Sequence, residues 1–176
     1  MTDVAEQSVE IVEWNPTWPA RFEEESRLLQ AAIGAWLIGG IQHVGSTAIP
    51  GTAAKPVIDI MVGVESLAAS QPAIPVLAGL GYQYFPYRRD VMHWLCKPSP
   101  QLRTHHLHLV PARSELWVAR IAFRDYLIAR PEVAAEYVAL KRELAAKHRC
   151  DREAYTAAKT EFVEAVLEQV RRAADE

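Results

Sequence analysis

The chain has 176 residues, half of them hydrophobic, with 19 basic and 22 acidic side chains and a formal net charge of -3. That composition excludes an intrinsically disordered chain, and it gives no basic excess with which to hold duplex nucleic acid by its phosphates. No run approaches the roughly 18 apolar residues of a membrane span, and the length suits one domain, 1–176, whose core needs no covalent staples.

Taken in order, Asn15-Pro16-Thr17-Trp18-Pro19 breaks the chain before a first helix. Glu23, Glu24 and Glu25 fall in its early turns, where the helix dipole favours anions. Phe22, Leu29, Ile33 and Trp36 give it an apolar face, and Gly34 and Gly39-Gly40 end it. Residues 41–44 read as a short strand stopped by Gly45-Ser46-Thr47. A turn-rich stretch over 48–56 leads into Val57-Ile58-Asp59-Ile60-Met61-Val62, which has the β-branched, apolar pattern of a central strand. A helix is expected near 71–80, then strands over 82–85, 91–97 and 104–110 forming an antiparallel meander, with Arg88-Arg89 in a solvated turn. Ser114 is placed to cap a helix running to about residue 129. Pro131 suits the first position of the next helix, whose stripe is Val133, Tyr137, Leu140 and Leu144. Asp151 caps a final helix with Tyr155, Phe162, Val166 and Val170 on one face. The reading is α+β: a mixed sheet over about 41–110, covered by an N-terminal helix and a C-terminal helical segment. The five tryptophans read as packing residues.

Cys96 and Cys150 have neither C-x-x-C nor zinc-ribbon spacing, so they read as free thiols of a reducing compartment. The first residues are acidic where a secretion signal needs basic and then apolar ones. A cytoplasmic location is the expectation, with no membrane partner and no nucleic acid.

The chemistry concentrates at three places. Asp59 is a lone charge in an apolar strand, so it needs a partner, a metal or a solvent-filled cleft. Alternation puts Val57, Asp59 and Met61 on one face. Gly45 permits a sharp bend after a strand, and Ser46 and Thr47 offer hydroxyls and backbone N–H groups suited to phosphate. Neither a P-loop nor a dinucleotide fingerprint is present. His106 and His108 share a strand face. With Asp59 they can form a divalent metal site, contact a ligand or act as general acid and base, or simply form a hydrogen-bonded pair. Lys141 and Lys159 lie on apolar stripes next to Tyr137 and Tyr155; such lysines either contact phosphate or snorkel to water. Lys55 and Arg103 add positive charge beside these motifs.

The block His43-Val44-Gly45-Ser46-Thr47-Ala48-Ile49-Pro50-Gly51, followed by Ala53-Ala54-Lys55-Pro56-Val57-Ile58-Asp59-Ile60, resembles the signature of the GrpB family. The likeness extends to Trp14, Pro16, Trp18 and Pro19, to His106-Leu107-His108, to Phe123-Arg124-Asp125-Tyr126-Leu127, to Leu140-Lys141, and to Tyr155 with Lys159. It implies a nucleotidyltransferase-like fold, in which a Gly-Ser turn precedes a strand carrying metal-binding carboxylates. An active strand of that kind reads Asp-apolar-Asp/Glu, whereas this one reads Asp59-Ile60-Met61, and a thioether does not serve Mg²⁺. The position of a third carboxylate is matched by His106-Leu107-His108.

The resemblance implies binding of a nucleotide or related phosphorylated small molecule, with nucleotidyl transfer to a small acceptor as the reaction. Asp59, His106 and His108 are the catalytic and metal candidates, for Mg²⁺ or a transition metal. Gly45, Ser46, Thr47, Lys55, Arg103, Lys141, Tyr155 and Lys159 are the phosphate-side candidates. Two alternatives stand beside it. One is a non-catalytic binding module, with a CoA-related ligand suggested because some GrpB-like domains are fused to dephospho-CoA kinase. The other is a His/His/Asp metal-dependent hydrolase.

Overall fold

A computed structural model describes residues 8–174. The first seven residues, part of the segment read above as lacking a secretion signal, lie outside the described ones. No described helix is long and apolar enough to cross a membrane.

Five strands form one mixed sheet: β1 Leu37–Val44, β2 Ile58–Val64, β3 Gln83–Phe85, β4 His93–Pro98 and β5 Arg103–Pro111. Their order is β1-β2-β5-β4-β3. β2 and β5 run parallel at the centre, and the other neighbouring pairs are antiparallel. The predicted meander is therefore real, and its last strand docks alongside the one that carries Asp59.

Strand alternation builds two unlike faces. Ile58, Ile60, Val62 and Val64 of β2 join Leu95, Leu107 and Leu109 on the rear face. They pack against Trp18, Leu29 and Ile33 of α1 (Trp18–Ile33) and Leu77 of α3 (Ala73–Ala78), with the one-turn α2 (Leu67–Ser70) preceding α3. The front face carries Asp59, Met61, His106 and His108. There Val44, Met61 and Val110 meet Trp117 of α4 (Glu115–Ala129). Ile49 packs with Leu127, Tyr137 and Val166, drawn from α4, α5 (Pro131–Lys147) and α7 (Thr160–Ala174). Ser114 caps α4 by accepting from the Trp117 N–H, and Asp151 caps α6 (Arg152–Ala157) by accepting from the Ala154 N–H, as the sequence predicts.

Three expectations need correction. Gly39-Gly40 does not end the first helix; it lies inside β1, which begins at Leu37. A Cβ on Gly39 would sit 3.1 Å from the Gly63 Cα and 3.4 Å from the Trp117 ring. These glycines let two backbones and an indole approach closely. Glu25 lies beyond the first turn of α1, and it is a buried acceptor for the Tyr82 hydroxyl, at 2.9 Å, and for the Lys97 ammonium rather than an anion placed for the helix dipole. The helix expected near 71–80 is present as the short α3, with the one-turn α2, capped by Ser66, before it. The final helix breaks at Ala158 and Lys159, so Tyr155 packs with Val9 and Leu144 while Phe162 and Val166 join a different cluster.

Candidate functional site

The turn and the carboxylate meet. Gly45 has φ +71°, and a Cβ there would lie 2.5 Å from Asp59 Oδ2. A side chain is excluded both by that left-handed backbone and by the acid it abuts. Thr47, the next residue but one, is buried; its hydroxyl donates to the Val57 carbonyl at 3.2 Å and lies 3.0 Å from His43 Nε2. Because the hydroxyl's proton goes to Val57, His43 is the donor to Thr47 and carries its proton on Nε2. The bend is pinned again by Arg124 of α4, whose guanidinium donates to the His43 carbonyl (2.8 Å) and the Gln42 side chain (3.0 Å).

Parallel register places Asp59 beside His106 and Met61 beside His108. His106 Nδ1 donates to Asp59 Oδ1 at 2.9 Å, which leaves its buried Nε2 without a hydrogen-bond partner among the described residues. His108 Nε2 lies 3.7 Å from the same carboxylate oxygen and is likewise buried without a hydrogen bond. One donor atom from each of the three side chains falls within 4.8 Å of the others. Burial resists ionisation of Asp59, but the hydrogen bond from His106, with His108 close by, outweighs it and holds the carboxyl well below its usual range. Burial, reinforced by the Arg120 guanidinium, pushes His108 down to about 3, so it is a neutral imidazole with an available lone pair. A carboxylate flanked by two imidazoles, each able to offer one nitrogen, is a donor set that fits a divalent cation.

Around this cluster the charge is positive. A cavity of about 180 Å³ opens beside His106 and is lined by Lys55, Arg103 and Arg152 together with Ser8 and Glu10. Lys55 and Lys159 both stack on the buried Tyr155 ring, at 5.1 and 4.3 Å from its centre. Burial and the Lys55 charge bring Lys159 down to about 8. Arg103 lies over the Trp94 ring, whose centre is 5.3 Å from that of His106.

The predicted residues thus separate into groups. Gly45, Asp59, His106 and His108 converge, and Lys55 and Arg103 line the cavity next to them. Ser46 makes a polar contact with Tyr137, and the Thr47 hydroxyl is engaged within the scaffold. Lys141 neither snorkels nor reaches the cavity: it is buried, donates to the Ala53 carbonyl and sits over Tyr137. Lys159 lies in the link between two helices rather than on a helical stripe. His105 points away, toward Lys97 and Glu25 on the rear face. Sequence reasoning missed Arg120, Arg124 and Arg152, which come from polar positions of later helices with no periodic signal to mark them.

These features define an α+β domain with a carboxylate–imidazole cluster under a glycine turn. The family model described as GrpB protein matches residues 8–169. The chain is 37% identical to the glutamate-rich protein GrpB of Alkalihalophilus pseudofirmus, over 97% of this chain and all of that one. It is 32% identical to a dephospho-CoA kinase of Mycolicibacterium paratuberculosis, covering 89% of this chain but 44% of that protein. The crystal structure of conserved protein GrpB from Enterococcus faecalis superimposes with a TM-score of 0.85 at 30% identity, over 95% of this chain and all of that one. The chain belongs to the GrpB family.

Proposed function

We propose that the chain binds a nucleotide or related phosphorylated small molecule in front of Asp59, together with one divalent metal ion held by Asp59, His106 and His108. Charge carries this reading. Lys55, Arg103 and Lys159 gather near Asp59, and none of them has an ion pair among the described residues, in a chain whose net charge is -3. Uncompensated cations at a cavity call for an anion, and phosphate oxygens match them best. Two imidazoles and a carboxylate suit Mn²⁺, Zn²⁺ or Fe²⁺ better than Mg²⁺, which prefers oxygen ligands. When bound, such an ion supplies polarisation of a phosphoryl oxygen. The protein's own part is to hold the anion with Lys55 and Arg103, to keep Asp59 ionised through His106, and to let the ligand reach Asp59 past a bend that has no side chain. The nucleotidyltransferase-like reading rests on the Gly45-Ser46 bend facing a strand carboxylate, with displacement at phosphorus as the reaction class.

The test is calorimetry and thermal unfolding with Mn²⁺, Mg²⁺ and each nucleoside triphosphate. A ligand at about 100 times its Kd adds about 2.7 kcal/mol, a rise of roughly 5–10 °C for a domain of this size. No stabilisation by any combination would end the proposal.

A second reading, binding without turnover, is favoured by Met61. It stands where a second carboxylate would be and is fully buried in apolar surroundings. The similarity to a protein named dephospho-CoA kinase makes CoA-related nucleotides the ligands to try first. Tight binding with no product over long incubation would select this reading.

A further inference from the structure

The front of the sheet continues past the two histidines. Trp94 of β4 pairs with His108 of β5, and Phe85 of β3 pairs with Trp94, so these side chains stand on the face that carries Asp59. α4 packs on β1 and β5, but among the described residues no helix packs comparably on the front of β3 and β4. Phe85 and Trp94 are accordingly half-buried, and Tyr87, just after β3, is 54% exposed. The Tyr87 N–H donates to the Phe85 carbonyl at 2.8 Å, which fixes the turn beside the strand. Phe85 and Tyr87 each meet the Trp94 ring edge-on, with centres 5.7 and 6.4 Å away. Trp94 in turn lies 5.3 Å from the His106 ring that holds Asp59. Arg103 joins this ledge of rings to the cavity: its guanidinium is 5.2 Å from the Trp94 ring centre, and the same residue lines the cavity wall.

A single exposed tyrosine means little. Several rings in contact, left partly open beside a cation-lined cavity, have the make-up of a ligand surface: aromatic walls with a few polar groups that fix orientation. An aliphatic group could cover the same area, but only a flat ring also gains from the faces of tyrosine and indole and from an arginine beside them. We infer that Tyr87, Phe85 and Trp94 seat a planar heteroaromatic ring belonging to the ligand whose anionic group lies in the Lys55–Arg103 cavity, with Arg103 reaching both ends. The ligand is then a nucleotide, its base against Tyr87 and Trp94, and not a sugar phosphate or a bare polyphosphate. This rests on the anionic-ligand reading above and adds the group to which the anion is attached.

The full chain is titrated calorimetrically, in the presence of Mn²⁺, with ribose 5-phosphate and with each of the common ribonucleoside 5′-monophosphates. These probes share one phosphate and one sugar and differ by the base. Wild type is expected to bind at least one nucleotide about five-fold or more tighter than ribose 5-phosphate, the gain of stacking one base on an aromatic side chain. Tyr87→Ala brings that ratio toward one while leaving ribose 5-phosphate affinity in place, and Tyr87→Phe, which keeps the ring, keeps the preference. Lys55→Gln weakens all probes together and leaves the ratio standing. A folding defect in Tyr87→Ala would lower every affinity alike, and its melting temperature identifies it. No nucleotide preferred over ribose 5-phosphate by wild type, or a ratio unchanged in Tyr87→Ala, overturns the ring seat alone. Failure of wild type to bind any of the probes overturns the anionic-ligand reading and the ring seat with it.

Discussion

At the residue scale, the site turns on one oxygen atom, Asp59 Oδ1, which both histidines face. Asp59→Asn keeps a side-chain acceptor for His106 but removes the charge. The expected outcome is loss of stoichiometric Mn²⁺ or Zn²⁺, read by elemental analysis after dialysis, with the fold retained by circular dichroism. Gly45→Ala makes a sharper demand. Its methyl would stand 2.5 Å from Asp59 Oδ2 on a backbone of φ +71°, so a loss of about 1–3 kcal/mol is expected in urea unfolding, together with weakened metal binding. These two residues were legible in the sequence. A lone acid among β-branched neighbours has to be paid for somewhere, and a glycine ending a strand signals a close approach. His106 and His108 were legible from their i, i+2 spacing. Arg120 was not, because a polar helix position looks the same in sequence whether it faces water or lies near a buried histidine.

At the element scale, the site depends on how closely α4 lies on the front of the sheet. Gly39 and Gly63 cross beneath Trp117, and a Cβ on Gly63 would fall 2.6 Å from the Gly39 Cα and 3.0 Å from the indole. Gly63→Ala is expected to cost about 1–3 kcal/mol by overpacking, measured by denaturant midpoint, and to displace the helix that supplies Arg120 and Arg124. The misreading of Gly39-Gly40 as a helix stop has this same origin: glycine marks a break and a close crossing with the same letter. The continuous final helix was inferred from the seven-residue spacing of Tyr155 and Phe162, yet the two rings serve different clusters on either side of a break. Lys141 ties α5 to the loop after the bend. Burial, then the charges of Lys159 and Arg142, lowers its pKa to about 7. The unfolded lysine holds its proton to about 10.4, so between pH 7 and 10 the unfolded state binds more protons and stability rises with pH. Urea midpoints at pH 7 and 9 are expected to show that rise in wild type and a smaller one in Lys141→Met. Lys141→Ala, which also empties buried space, is expected to lose about 2–5 kcal/mol.

At the scale of the whole molecule, the same dependence on pH continues into the acid range. His43, stacked on Phe22 at 4.7 Å, is held down to about 4 by burial, which outweighs the upward pull of Asp59 and is helped by a lesser push from Arg124. The unfolded imidazole, near 6.5, takes up protons first as pH falls, so its contribution to stability is lost progressively between about pH 6.5 and 4. Thermal unfolding across that range is expected to show a falling midpoint, with a shallower slope in His43→Gln. The architecture also governs how the candidate site comes into being. Asp59 and His106 are 47 residues apart in the chain and meet only because β5 returns parallel to β2. Everything from α2 to β4 is an excursion between the two halves of one cluster. No fragment holding only one of those strands contains the cluster, and long-range parallel pairing is among the slower events in folding. Uptake of a cation by Asp59 and the two imidazoles would therefore report completion of the central strand pair, so metal affinity can serve as a clock for the arrival of native topology.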